Sequence, residues 1–320
     1  MDVQMSPPEL NLPELKVNVF PGGFNWGLYV GIEKGFFAQQ GIQIQILGTP
    51  NSVTQMTEFA EDKFDIAMTA VDNIVAYREG QGEAPIGPQP EFFAFMGSDS
   101  GFLSLVSSPE ISTIADLAGK VLSVDALTTG YAFVLYEILR RNGMDRNAYE
   151  LRRRGGMIQR MNSLLEGNES ATLLSAPYNL IAKGRGQRQL VTATSVLGPY
   201  QGNVAAAKRS WAEKNSDKIV AFIRGYHASI GWLYQPSNRA AAIEVLVRNV
   251  AGMSPDVAEA SHAELLAPEG GFFRDCRIDL AGLQCVLDLR SRYAEPNKVL
   301  TDPMKYCDPS YYQRASSAFL

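Results

Sequence analysis

Six segments of the sequence follow apolar runs, and their repeated theme is a hydroxyl or amide side chain, a small residue and, in most of them, a helix start. They are Gly22–Trp26, Gly48–Ser52, Thr69–Asn73, Gly97–Ser100, Asp125–Gly130 and Ala176–Asn179. Such a turn presents unpaired backbone N–H groups at the positive end of a helix dipole, which suits an anionic group. The candidate ligand-binding residues are Phe24, Asn25, Trp26, Asn51, Ser52, Thr69 and Asp72, then Ser98, Asp125, Thr128, Thr129, Gly130, Tyr178 and Asn179. The turn at Asp125–Gly130 is the sharpest of them. Thr128 and Thr129 offer hydroxyls there, and Gly130 allows close approach to the backbone.

Each residue also has a plainer reading. Ser, Thr, Asn and Asp are ordinary helix caps, so one such turn alone is weak, whereas several on one sheet edge are harder to dismiss. Phe24 and Trp26 suit either a core or a stacking face for an apolar ligand portion, and Tyr178 suits a core or a pocket wall. Asp72 is placed to cap its own helix through the amides of Ile74 or Val75, or to accept from a ligand donor. No arginine falls in a predicted strand-end loop to clamp an anion bidentately. The run Arg152–Arg154 belongs to a stretch, 140–190, with ten Lys or Arg against four Asp or Glu. A solvated edge is the plain reading of that excess, and steering of an anion or a partner the competing one.

Enzyme signatures are absent. The sequence holds no GxSxG, Walker A or HExxH pattern, and Gly22-Gly23 does not continue as GxGxxG. The two histidines, His227 and His262, lie far in sequence from every predicted strand end. No cofactor and no metal is expected. Cys276, Cys285 and Cys307 cluster near the end of the chain, and a disulfide from Cys276 to Cys285 or Cys307 is the expectation if the protein is exported.

The elements that must hold these turns alternate. Leu15–Phe20 and Ile42–Ile46 have strand periodicity, and Trp26–Gln39 between them reads as a helix. Ser52–Glu61, Asp65–Met68 and Asp72–Glu79 continue as helix, strand, helix, which predicts a parallel sheet with right-handed crossovers. A Pro/Gly link, 80–90, leads to the apolar runs Phe92–Met96 and Phe102–Ser107. The pattern then restarts at Val121–Val124 and continues through Thr129–Arg141, Tyr149–Arg153, Ile158–Leu165 and Ala171–Ser175 to Leu190–Thr194. After Asn203 the chain reads as mainly helical. Ile219, Ile223, Tyr226, Ile230 and Leu233 form one stripe, and Ser254-Pro255 is a helix start.

Length and composition agree with this. At 320 residues, 46% hydrophobic and 20% charged, the chain suits about two globular domains. A net charge of −5 argues against a dedicated nucleic-acid binder. Met1–Leu15 shows no basic-then-apolar export signal, so an exported protein would need one that is not visible here.

Three motifs carry a family resemblance. Gly23-Phe24-Asn25-Trp26 followed by Tyr29–Phe37 and Gly41-Ile42 resembles the opening of certain bacterial solute-binding proteins. Ile114–Lys120 is similar to that family's "dLkGKkv" turn, and Asp308–Tyr312 to its closing segment. These are the substrate-binding components of ABC importers for sulfonates, taurine, nitrate and thiamine-precursor pyrimidines. The resemblance implies an α/β, two-lobe type II periplasmic-binding fold with mostly parallel sheets and the ligand between the lobes. Crossovers are then expected near Gly97–Gly101 and Thr194–Gly202, with residues 1–97 plus 200–320 as lobe one and 98–199 as lobe two. It further implies a small organic solute with a sulfonate- or carboxylate-like end, an ABC permease as partner, a monomer, and a periplasmic or extracellular location. The cysteine-rich motif of the related pyrimidine synthases is missing, which weighs against an enzyme.

Overall fold

The alternating runs fold as a strand–helix series that begins with β1 (Glu14–Val19), α1 (Trp26–Glu33), β2 (Gln43–Gly48), α2 (Ser52–Ala60), β3 (Ile66–Ala70) and α3 (Val71–Arg78). The computed structural model describes residues 12–87 and 90–319; most of the predicted leader, residues 1–11, lies outside them. Leu15 and Val17 of β1 are fully buried while Glu14 and Lys16 face solvent, as the period-two pattern requires. Helix α1 stops at Glu33, short of the expected Gln39; a separate turn follows at Ala38–Gln40.

Strands β4 (Phe92–Gly97) and β5 (Ser104–Ser107) are the two apolar runs after the link, both buried throughout. The second series runs β6 (Val121–Val124), α4 (Gly130–Arg141), β7 (Glu150–Arg153), α5 (Met157–Leu165), β8 (Ala171–Leu174), α6 (Tyr178–Gly184), β9 (Arg188–Thr192) and α7 (Ala193–Leu197). The chain then returns as β10 (Asn203–Lys208). The tail is helical: α8 (Arg209–Lys214), α9 (Ser216–Leu233), α10 (Arg239–Asn249), α11 (Pro255–Leu265), α12 (Leu280–Tyr293) and α13 (Ser310–Ser316).

Two five-stranded sheets result, in the orders β2-β1-β3-β10-β4 and β7-β6-β8-β5-β9. Each is mostly parallel with one reversed strand: β10 runs antiparallel to β3 and β4, and β5 antiparallel to β8 and β9. Strand β10 departs from the expected helical tail. Its sequence, NVAAAK, has only one of the branched residues that mark strands, Val204, yet Ala205, Ala206 and Ala207 are fully buried between β3 and β4.

The two connections between the sheets touch each other. Asp99 in the first accepts hydrogen bonds from Gly101 N at 2.8 Å and from Asn203 N at 3.1 Å. Its carbonyl also accepts from Gly202 N at 2.8 Å. A Cβ on Gly202 would sit 2.0 Å from Gly101 N, so only glycine allows this approach.

One face of the first sheet packs on the α9 stripe, and Ile219, Ile223, Tyr226, Ile230 and Leu233 are all buried there. A second core cluster runs through both lobes, joining Phe59 and Val75 to Leu105 and Leu135 by way of Leu283 and Leu287 of α12. The expected disulfide does not form. Cys276 is buried in the α9-side cluster, whereas Cys285 and Cys307 belong to the core cluster that spans both lobes, and all three thiols are free.

Candidate functional site

Between the two sheets lies a cleft with a cavity of about 130 Å³. An apolar cavity near 150 Å³ accepts benzene, so this one suits a solute of roughly that size. Its walls come from the strand-end turns of both lobes. Phe24, Asn51, Ser52 and Asp72 reach it from lobe one, and Asp125, Thr129 and Gly130 from lobe two. Half of the residues singled out in the sequence therefore converge.

The other half serve the frame. Asn25 is buried and donates to Phe20 O at 2.6 Å. Trp26 is a core residue: its Nε1 donates to Ala242 O at 3.0 Å, and its ring meets His262 edge-on. Thr69 accepts from Asn73 Nδ2 at 2.8 Å, and Ser98 shares a 2.8 Å hydrogen bond with Tyr226. Thr128 is exposed at the rim, where its hydroxyl donates to Glu83. Tyr178 and Asn179 bridge the lobes instead of lining the cavity, donating to Pro21 O at 3.3 Å and to the Glu264 carboxylate at 2.9 Å.

Asn51 caps α2, its Oδ1 accepting from Thr54 N at 2.8 Å. Two expectations about α3 and α4 are corrected. Asp72 does not cap its own helix; it accepts from Gly130 N at 2.7 Å and from Arg290 Nε at 2.8 Å. The first amide of α4, expected to meet a ligand anion, therefore already has a protein carboxylate. Thr129 is the N-cap residue of α4 but makes no side-chain cap; its hydroxyl donates to Asp125 Oδ1 at 2.7 Å.

The residue that sequence reasoning passed over is Arg160. It stands in the first turns of α5, behind the N-cap Gly156, and lines the cavity beside Met157 and Gln159. Its Nη1 donates to Leu173 O at 2.9 Å, yet its buried Nε has no protein partner. The residue is 3% exposed. Burial pulls its pKa below the usual guanidinium value, and the nearby Asp125 carboxylate acts against that shift. Arg160 belongs to the basic excess at 140–190, whose conspicuous feature in the sequence is the Arg152–Arg154 run. Those side chains point outward: Arg153 pairs with Glu83 and Arg154 with Glu169.

The polar character of the cleft is mixed. Asp72 is neutralised by Arg290, whereas Asp99 is buried on backbone and amide donors, and burial raises the pKa of both. Tyr131 brings a hydroxyl whose pKa is pushed up by burial and by Asp99, so it stands in the cavity as a protonated donor. Arg160 and the uncapped start of α5 are the electropositive side of this cavity.

Solved structures share this architecture. The periplasmic nitrate-binding protein NrtA from Synechocystis PCC 6803 superposes with a TM-score of 0.79 at 13% identity, over 96% of this chain and 89% of that one. A zinc-bound ligand-binding component of an ABC-type import system from Staphylococcus aureus gives 0.77 at 13% identity, covering 96% and 100%. The periplasmic aliphatic sulphonate binding protein SsuA from Escherichia coli gives 0.69 at 16%, covering 96% and 100%. The two lobes and the cleft between them are thus those of the periplasmic binding protein fold. No curated protein matches in sequence. The NMT1/THI5-like family profile matches residues 25–240, more than half of the chain, from the Asn25 turn through both sheets and into the helical tail, and the chain belongs to that family.

Proposed function

We propose that this chain is the solute-binding component of an ABC importer. It captures a small organic solute with a sulfonate- or carboxylate-like end by closure of two lobes. The observation that carries the reading is Arg160: a guanidinium, 3% exposed, whose Nε has no protein partner and which lines the cleft at the start of α5. A buried cation with an open donor is costly unless an anion completes it. Phe24, Pro21 and Met157 supply apolar walls for the remainder of the solute.

The lobes correspond in this reading to residues 1–97 plus 200–320 and to 98–199, with the hinge at the paired crossovers. Delivery is to a membrane permease, from a periplasmic or extracellular location, with the protein acting as a monomer. Binding rather than catalysis is supported by the solved neighbours, which are described as nitrate-binding, sulphonate-binding and ligand-binding import components. His227 stacks on Phe319 and His262 meets Trp26 edge-on, both away from the cleft.

Native mass spectrometry of the purified protein, joined to melting shifts with organic sulfonates, carboxylates and uncharged pyrimidines, tests the proposal. We predict a bound or stabilising solute with an anionic end. Stabilisation by the uncharged compounds alone would sink the anion assignment, and no binding of any class would sink the solute-binding reading.

A further inference from the structure

Arg290 of α12 is 1% exposed and spends its guanidinium on both lobes. Its Nε and Nη2 reach Asp72 at 2.8 and 3.3 Å, and its Nη1 reaches Gln81 at 3.3 Å, all in lobe one. Nη2 also donates to Thr128 O at 3.1 Å, and the guanidinium lies 5.3 Å from the Phe133 ring centre; both partners are in lobe two. Asp72 in turn takes the first amide of α4, Gly130 N, at 2.7 Å. Only glycine permits that contact, since a Cβ on Gly130 would lie 2.2 Å from Asp72 Cγ.

We infer that Asp72 and Arg290 form a strap that holds the lobes closed, an internal anion from lobe one that occupies the α4 N-terminus of lobe two and leaves the solute's anion to α5 and Arg160. A buried ion pair is a weak source of stability, because desolvation offsets its attraction; its better-attested use is to specify one arrangement of parts. This pair sits where such a specification acts. In this reading α12 moves with lobe one, so on opening Asp72 and Arg290 stay paired while Gly130 N–H and Thr128 C=O lose their partners to water. Opening therefore breaks charge-assisted hydrogen bonds without separating the two charges, which makes the strap reversible. Its bearing on the solute rests on the proposed function. Its bearing on closure does not, and the test reads closure in the absence of any solute.

The far side of the cleft supplies an independent reporter. Gly23 N donates across the lobes to Ala176 O at 3.2 Å, close to the Tyr178–Pro21 bridge. Hydrogen exchange followed by mass spectrometry should compare segments 127–133 and 21–26 in the wild type and in the double variant Asp72→Asn with Arg290→Met. The double change avoids leaving one buried charge unpaired. We predict faster exchange in both segments, by at least about tenfold, the factor for a loss of 1.4 kcal/mol. The β6 and β8 segments should stay protected, which also certifies that the variant is folded. A change confined to 127–133 would reduce the contact to a local helix cap, and no change at either seam would make it passive; each overturns the strap. Should the double variant not fold, Gly130→Ala displaces Asp72 from the other lobe and must give the same two-seam pattern.

Discussion

At the scale of single residues, the cleft turns on which polar groups are already satisfied. Asp72, Thr129 and Asn51 attract notice in the sequence because they sit at strand ends, and the structure gives each a protein partner. Arg160 has the opposite character: inconspicuous in sequence, incompletely bonded in the fold. We predict that Arg160→Met weakens binding of an anionic solute by roughly 10–150-fold, the equivalent of about 1.5–3 kcal/mol for a hydrogen bond to a charged group. Melting temperature should hold or rise, since the change removes a buried charge that the protein does not fully pair. Calorimetry and thermal melting on the same variant check both halves. A clear loss of stability with unaltered affinity would make Arg160 a structural residue. Sequence reading missed it for a physical reason. A clamp is expected in the loops after strands, but a helix that starts at a strand end also turns its first-turn side chains toward the cleft, and α5 does this with Arg160.

At the scale of elements, most of the order β-α-β was readable because each strand and helix carries its own period. The exceptions are elements whose role is imposed by neighbours. Strand β10 is alanine-rich, and its place is decided by its pairing with β3 on one side and β4 on the other. The helix-start signal at Ser254-Pro255 holds. Ser254 precedes Pro255, and its Oγ accepts from Val257 N at 3.3 Å at the start of α11. We predict that Ser254→Ala costs about 1 kcal/mol in denaturant unfolding, the usual loss for a removed N-cap. Helix α11 also carries Glu264, the acceptor of the Asn179 bridge, so a larger loss together with altered solute affinity would show that the cap tunes closure as well. The plain expectation is a stability change with unaltered binding.

At the scale of the whole molecule, the two lobes were foreseeable from the restart of the strand–helix pattern, but their degree of joining was not. Helix α12 is expected with lobe one; it packs on α3 of that lobe and still more on α4 of the other, carrying Leu283 and Leu287 into a core common to both. A contact between residues more than 150 positions apart leaves no trace in local periodicity. Glu137 of α4 shows the consequence. Its side chain is 3% exposed and accepts from Arg140 and Arg141 of its own helix and from Tyr293 Oη of α12 at 2.8 Å. The hydrogen bond from Arg140, ahead of the opposing effect of burial, brings its pKa down to about 2. A carboxylate held below its ordinary value binds its proton less readily in the folded than in the unfolded state. Its stabilising contribution is therefore complete above the ordinary value of 4.5 and is lost as pH falls toward about 2. Asp72, Asp99 and Glu264 have raised pKa values from burial, so their effect runs the other way and does not add to that acid loss. We predict that the wild type loses melting temperature steadily between pH 4.5 and 2.5. Glu137→Gln should start lower at pH 7, because the Tyr293 contact to α12 and both arginine pairs lose their charge, and should fall less steeply across the same acid range. Parallel melting curves for the two proteins would mean that the α4–α12 seam is held by its apolar core alone, with Glu137 a bystander in joining the lobes.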